Sequence, residues 1–243
     1  MKQADISIVF IPGLLLTGRL FDAQLAALEA GFTPVIADTT GVNSISDMAQ
    51  RALSACPGPF VAVGLSMGGY VAQEMARLAP ERLRGLALLN TNAMPETPER
   101  TKQRQDLIAL SKIGKFKGVT PRLIPRLLSE VNQQNASLVS AVMDMAAEIG
   151  QENFVLQQTA IMHRRDQRQS LPQLTAPSMV LCGKEDTMTP PAQSEEMHAL
   201  LPDNELVLIE GAGHLSTMEA PEAVNQALAA LYERAEAYHQ TLS

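Results

Sequence analysis

Apolar positions along this chain follow two different rhythms. Short, nearly unbroken apolar runs at Ile6–Ile11, Thr33–Ala37, Phe60–Val63, Leu83–Asn90, Ser178–Cys182 and Glu205–Ile209 predict six buried strands. Between them, apolar residues recur every three or four positions. That spacing predicts helices over Arg19–Ala30 (Leu20, Phe21, Leu25 and Leu28 inward), Ser44–Ala55 (capped by Ser44 or Ser46), Tyr70–Ala79, Pro191–Leu201 and Pro221–His239. Strands alternating with helices predict an α/β protein whose mostly parallel sheet of about six strands is covered on both faces. The alternation fails only between Thr91 and Pro177, where four helical pieces are expected near Thr101–Ile113, Thr120–Leu128, Ser137–Ile149 and Glu152–Arg164. Pro121 and Pro125 limit the second piece, and Gly150 separates the last two. The chain thus divides into a core of residues 1–92 and 174–243 and a helical lid of residues 93–173. Such a lid would hang over the carboxyl ends of the strands, where open α/β sheets place their sites.

The third strand runs into Gly64-Leu65-Ser66-Met67-Gly68-Gly69 and then directly into a helix. A serine at so sharp a turn needs neighbours two before and two after that are nearly free of side chain, and Gly64 and Gly68 meet that need. The turn lifts the hydroxyl above the sheet and aims the first amides of the helix at it. Gly-x-Ser-x-Gly alone is weak, because chance produces it in about one chain in ten of this size. Its meaning depends on partners.

A hydroxyl nucleophile requires a base, and the base an orienting acid. Asp186 lies just past the fifth strand and His214 just past the sixth, both on the same rim as Ser66. Glu185 is an alternative acid, and His163, His198 and His239 are alternative bases, but only His214 follows a sheet strand in a glycine-rich turn. An oxyanion hole needs two backbone N–H donors. Met67 supplies one, and the loop Pro12-Gly13-Leu14-Leu15 after the first strand is expected to supply the other through Leu14. Leu15, Met67, Met188 and Leu215, which flank these positions, and the lid residues Met143, Met145 and Met162 are candidates for an acyl pocket, although methionines also serve as core filling.

Composition narrows the function further. The 243 residues are 46% hydrophobic and 19% charged, as in an ordinary globular protein. No apolar run is long enough to span a bilayer, and no small-residue cleavage site follows the amino terminus, so a cytoplasmic protein with reduced, buried Cys56 and Cys182 is expected. The formal charge is −7, yet residues 100–126 carry eight basic side chains against the single acid Asp106. This stretch is either a solvated helix face or a site for an acidic partner or anionic substrate. Nucleic acid is a poor fit to an acidic chain without Trp. Gly13 to Gly18 has phosphate-loop spacing, but Arg19-Leu20 stands where Lys-Ser/Thr is required. No dinucleotide fingerprint follows the first strand, and the scattered histidines and cysteines suggest no metal. No cofactor is expected.

Together, Gly64-Leu65-Ser66-Met67-Gly68-Gly69, Gly183-Lys184-Glu185-Asp186-Thr187-Met188-Thr189-Pro190 and Gly211-Ala212-Gly213-His214 resemble the α/β-hydrolase superfamily over nearly the whole length. The order Ser66, Asp186, His214 is also that superfamily's order. The short chain and the run Ala212-Gly213-His214-Leu215-Ser216-Thr217-Met218-Glu219-Ala220-Pro221-Glu222 look like the branch of 3-oxoadipate enol-lactonases and pimeloyl-carrier-protein methyl ester esterases. That resemblance implies a cofactor-free serine hydrolase of a small-molecule carboxylic ester or lactone. Its first strand here, starting at Ile6, already precedes the oxyanion loop, which implies about two strands fewer than the family's usual eight. Pro12 stands where the family commonly has a histidine that supports the oxyanion loop. The readings left open are an esterase, a lactonase or carrier-linked esterase using the basic stretch, a cofactor-free perhydrolase or haloperoxidase, and a ligand receptor on the same fold.

Overall fold

The computed structural model describes residues 6–113 and 115–242. Six parallel strands, β1 (Ile6–Ile11), β2 (Phe32–Ile36), β3 (Phe60–Leu65), β4 (Leu83–Leu89), β5 (Ser178–Gly183) and β6 (Asn204–Ile209), form one sheet in the order β2-β1-β3-β4-β5-β6. The side chains of β1 show why the sheet is covered twice. Ile6, Ile8 and Phe10 belong to one apolar cluster, and Val9 and Ile11 belong to another on the opposite face. Period-two alternation of apolar residues on both faces is the signature of a fully buried strand. The first cluster packs under α1 (Asp22–Ala26) and α8 (Pro221–Thr241), and the second under α2 (Ile45–Ala55), α3 (Met67–Leu78) and α7 (Pro191–Leu200). The outer strands β2 and β6 are only partly buried, and β2 carries Pro34, which an edge strand tolerates because one side of its ladder is unpaired.

Chain order and spatial order diverge at β1, which lies between β2 and β3. The loops leaving β1 and β3 therefore run to opposite faces and open a crevice at the carboxyl ends of these strands, the usual ligand position in an open parallel sheet. Ser66 sits at the end of β3, and Pro12-Gly13-Leu14-Leu15 at the end of β1.

All the described elements between β4 and β5 are helical: α4 (Pro98–Ser111), α5 (Ile124–Leu127), two 3-10 turns and α6 (Ala136–Met162). Gly150, at φ 77° and ψ 175°, breaks α6 where the sequence places a separation. Helix α4 starts three residues earlier than expected, because Thr97 caps it by accepting from Arg100 N and Pro98 fits the first turn. The expected helix over Thr120–Leu128 shrinks to α5, since Thr120 to Leu123 form a turn instead. Likewise Arg19–Ala30 is a 3-10 turn followed by a short α1 that ends before Gly31 at φ 115°. Leu20 and Phe21 are buried there, whereas Leu25 and Leu28 are only partly so.

Phe10 has no exposed surface and packs its ring 5.1 Å from that of Phe21. Phe10→Ala is expected to cost about 3–5 kcal/mol in urea unfolding. Val131→Ser, at a position 76% exposed, is expected to stay within about 0.5 kcal/mol of the parent.

Candidate active site

Ser66 adopts φ 57° and ψ −117°, a conformation that L residues rarely hold. Two glycines make the turn possible by close approach. A Cβ on Gly68 would lie 1.9 Å from the carbonyl oxygen of Ile11, and one on Gly64 would lie 2.2 Å from the carbonyl oxygen of Gly68. The helix start is thus pressed onto the end of β1. Gly69 N donates to Ser66 O at 2.9 Å, and Thr91 Oγ1 donates to the same carbonyl at 2.8 Å, so the strained turn is fixed from the segment after β4 as well.

From this turn a line of hydrogen bonds runs across the rim. Ser66 Oγ lies 2.9 Å from His214 Nε2, and His214 Nδ1 lies 2.8 Å from Asp186 Oδ2. His214 and Asp186 are both buried. Glu185 faces away and accepts from Glu130 N, so the carboxylate beside the imidazole is that of Asp186. The other histidines are engaged elsewhere: His163 with Thr159, His198 with Asn204 and His239 with Arg84.

Asp186 is densely wired. Its Oδ1 accepts from the amides of Met188 (2.8 Å) and Thr189 (3.0 Å), and its Oδ2 accepts from Thr189 Oγ1 (2.7 Å) and Asn90 Nδ2 (2.9 Å) as well as facing His214. Burial alone would raise its pKa. The charge of the adjacent imidazole and the hydrogen bonds from His214, Thr189 and Asn90 outweigh that and bring it down to about 2. Asn90 is a residue that pattern reading missed. It is fully buried at φ 46°, donates to Gly213 O as well as to Asp186, and accepts from Ser216 Oγ. The available signal is the polar triplet Asn90-Thr91-Asn92 directly after the apolar run Leu86-Ala87-Leu88-Leu89 that ends β4. Glu219, also missed, accepts from the amides of Gly213 and Leu215 on either side of His214, and from Ser129 N.

The loop after β1 reaches the same place. A Cβ on Gly13 would lie 3.4 Å from Ser66 Cβ. The amide of Leu15 is taken by Gln157 Oε1 at 3.0 Å, whereas no internal acceptor takes the amide of Leu14 or that of Met67 among the described hydrogen bonds. Of the acyl-pocket candidates, Met145 and Leu215 have no exposed surface and Leu15 has little, and all three belong to the core cluster. Met143 packs against that cluster, and Met162 and Met188 are half-buried. A cleft of about 610 Å³ runs along α3 beside Tyr70, Gln73 and Arg164 but is lined neither by Ser66 nor by any of these six.

The basic stretch is partly spoken for. Arg104 pairs with the buried Glu96, which Arg164 also contacts at 3.0 Å, and Lys102 pairs with Asp106. Lys112, Lys115, Lys117, Arg122 and Arg126 are exposed without an ion pair among the described residues. Cys56 and Cys182 are free and buried. Burial raises both thiols, that of Cys182 to about 12 with Asp186 adding to the effect. No described group of three or more His, Cys, Asp or Glu side chains could hold a metal ion, and no described helix is long and apolar enough to cross a membrane.

Residues 8–227 of the sequence match the alpha/beta hydrolase family, and the chain belongs to it. It is 25% identical to a pimeloyl-[acyl-carrier protein] methyl ester esterase of Klebsiella pneumoniae, over 96% of this chain and 95% of that protein. Among solved structures it resembles a thermophilic esterase from Thermogutta terrifontis (TM-score 0.87, 29% identity, 96% of this chain and 91% of that one). The enol-lactonase from Burkholderia xenovorans LB400 shares the fold (TM-score 0.79, 21% identity, 94% of this chain and 92% of that one).

The depressed Asp186 carboxyl has a consequence for stability. A group with pKa near 3.9 unfolded and about 2 folded stabilises the fold above the unfolded value, and this is lost as pH falls from about 4 through 2. Urea titrations of Asp186→Asn are expected to show a shallower decline over that window than the parent, by on the order of 2 kcal/mol.

Proposed function

We propose that the protein is a serine hydrolase of carboxylic esters, with Ser66 as nucleophile, His214 as general base and Asp186 as the orienting acid. The observation that carries this reading is the unbroken line from Ser66 Oγ through both nitrogens of His214 to Asp186 Oδ2, running along the carboxyl rim of the sheet from the end of β3 to the ends of β5 and β6. The Ser66 hydroxyl attacks the ester carbonyl while its proton passes to His214 Nε2. The resulting oxyanion accepts hydrogen bonds from the amides of Met67 and Leu14. The Met67 amide acts with the positive end of α3 behind it. His214 then returns the proton to the leaving alcohol, and an acyl-enzyme remains. Water attacks that ester, giving its proton to His214, and the carboxylic acid departs as Ser66 is reprotonated. Asp186 holds the Nδ1 proton of His214, which leaves Nε2 with the lone pair that the chemistry requires.

The helical segment 93–173 acts as a lid over this crevice, and Met188, half-buried beside Asp186, and Met143 and Met162 remain candidates for contact with the acyl chain. The esterase relatives support a small-molecule ester as substrate, and a lactone is the cyclic case of the same bond. The five exposed cations of residues 112–126 favour an anionic substrate, or an acyl group on an acidic carrier, over a neutral one.

Three outcomes are expected. On a graded panel of p-nitrophenyl esters, Ser66→Ala is expected to lose about 10⁴-fold or more in kcat; activity within tenfold of the parent would overturn the assignment. Asp186→Asn is expected to lose about 10⁴-fold through the wrong tautomer. The KM for a carboxylate-bearing ester is expected to rise as salt shortens the Debye length from about 30 Å at 0.01 M to about 10 Å at 0.1 M, while that for a neutral ester stays level. Equal salt responses would remove the role given to the cations.

A further inference from the structure

The loop that must present the second oxyanion donor has no polar side chain of its own. Pro12, Gly13, Leu14, Leu15 and Leu16 are all apolar, and Pro12 lacks even an N–H. One internal bond, Leu16 N to Gly13 O at 3.2 Å, closes the turn. That turn holds Leu15 at φ 60°, a conformation disfavoured for a branched side chain. Such a loop has to be held from outside.

Among the described residues, the hydrogen-bonded support from outside the loop comes from one side-chain amide. Gln157, on α6 and without exposed surface, accepts from Leu15 N through Oε1 at 3.0 Å. Its Nε2 points to the carbonyl and hydroxyl oxygens of Thr39, each at 3.3 Å. Thr39 follows β2, so one side chain ties together the loops after β1 and β2 and the helical segment that covers them. One helical turn earlier, Asn153 Oδ1 accepts from Gly41 N at 2.9 Å and fastens α6 to the same loop after β2. Of these two ties, that of Gln157 is the one that touches the β1 loop.

We propose that Gln157 is the positioning residue of the oxyanion loop. This rests on the serine-hydrolase reading above. A peptide group is planar, so anchoring Leu15 N–H fixes the plane joining Leu14 to Leu15. The plane that carries the Leu14 N–H adjoins this one across the Leu14 Cα alone, so holding one restrains the other, and no described hydrogen bond claims that amide. The amide side chain suits the task because it offers an acceptor to Leu15 and a donor to Thr39 at once; an apolar side chain of equal length offers neither. Because Gln157 belongs to the segment between β4 and β5, seating of that segment and assembly of the oxyanion site become one event.

The test compares the parent, Gln157→Met and Asn153→Ala, with an alkylboronic acid as a tetrahedral-adduct mimic and a fluorophosphonate probe that labels an active serine. Labelling of the parent is read first. A parent not labelled at Ser66 refutes the serine reading itself, whereas every other outcome bears on Gln157 alone. Gln157→Met is expected to lose about 100-fold in kcat with little change in KM, a cost typical of a misplaced group. Its boronate affinity should fall in parallel. Asn153→Ala, which removes the neighbouring tie but leaves Leu15 anchored, is expected to keep kcat within about threefold whatever it does to melting temperature. Should the methionine variant not fold, Gln157→Glu is judged by the same readouts: it keeps an acceptor for Leu15 and is expected to retain at least a tenth of parental kcat. A folded Gln157→Met with parental kcat, a loss of kcat with unchanged boronate affinity, or equal losses in Asn153→Ala and Gln157→Met each overturn the proposal. So does a folded Gln157→Glu that falls about 100-fold.

Discussion

The backbone of Ser66 is held where an ordinary residue does not rest, and the arrangement at the rim depends on that restraint. A residue in a sparsely populated region of φ and ψ costs about 1–3 kcal/mol, and it persists only when its surroundings over-determine it. Here they do. The strand before it lies in the middle of a sheet buried on both faces, the helix after it is pressed against the end of β1 through Gly68, and its carbonyl is bonded twice. The hydroxyl can therefore project above the strands instead of relaxing into an unstrained turn. The same close approach brings the loop after β1 against it.

What the restraint presents, Asp186 and Asn90 steady. A buried carboxylate is costly unless its oxygens are satisfied, and Asp186 meets donors from the Thr189 backbone and hydroxyl, from Met188, from Asn90 and from the imidazole. Asn90 reaches the carboxylate, the Gly213 carbonyl beside His214 and the Ser216 hydroxyl from one side chain, so the acid and the base are indexed to the same residue directly after β4. Glu219 does for the His214 backbone what Asn90 does for the acid, gripping the amides before and after it. Polar networks of this kind rigidify a site when every member is bonded. The proposed chemistry draws on that rigidity, since a base misplaced by an ångström forfeits much of the rate.

Much of this was legible from residue order because each relevant signal was local. The six strands are contiguous apolar runs, Ser44 caps α2 where its spacing to the helix predicts, and Gly150 breaks α6 where it stands. Ser66, Asp186 and His214 could be picked out because each ends a strand, and parallel strands deliver their carboxyl ends to one rim. Asn90 and Gln157 escaped because their roles are non-local. Nothing near Gln157 in sequence indicates that its amide will meet Leu15, 142 positions away. The acyl-pocket candidates suffered from the converse problem. Leu15, Met145 and Leu215 stand near the motifs or in the lid segment in sequence, yet they are buried within the core cluster. The helix bounds after Gly18 and near Thr120 are not legible in the sequence, because 3-10 and turn geometry leave no clear periodicity over so few residues.

The central claim is covalent: an ester passes its acyl group to the oxygen of Ser66 before water receives it. Rapid acid quench of the enzyme with an activated ester, followed by mass spectrometry of the proteolysed chain, tests it most directly. The account expects a transient mass increase equal to the acyl group on the peptide carrying Ser66, formed at the rate of the first burst of alcohol and decaying at the rate of turnover. Hydrolysis proceeding with no acylated peptide under conditions where deacylation is slow, or with the acyl group on another residue, would contradict it.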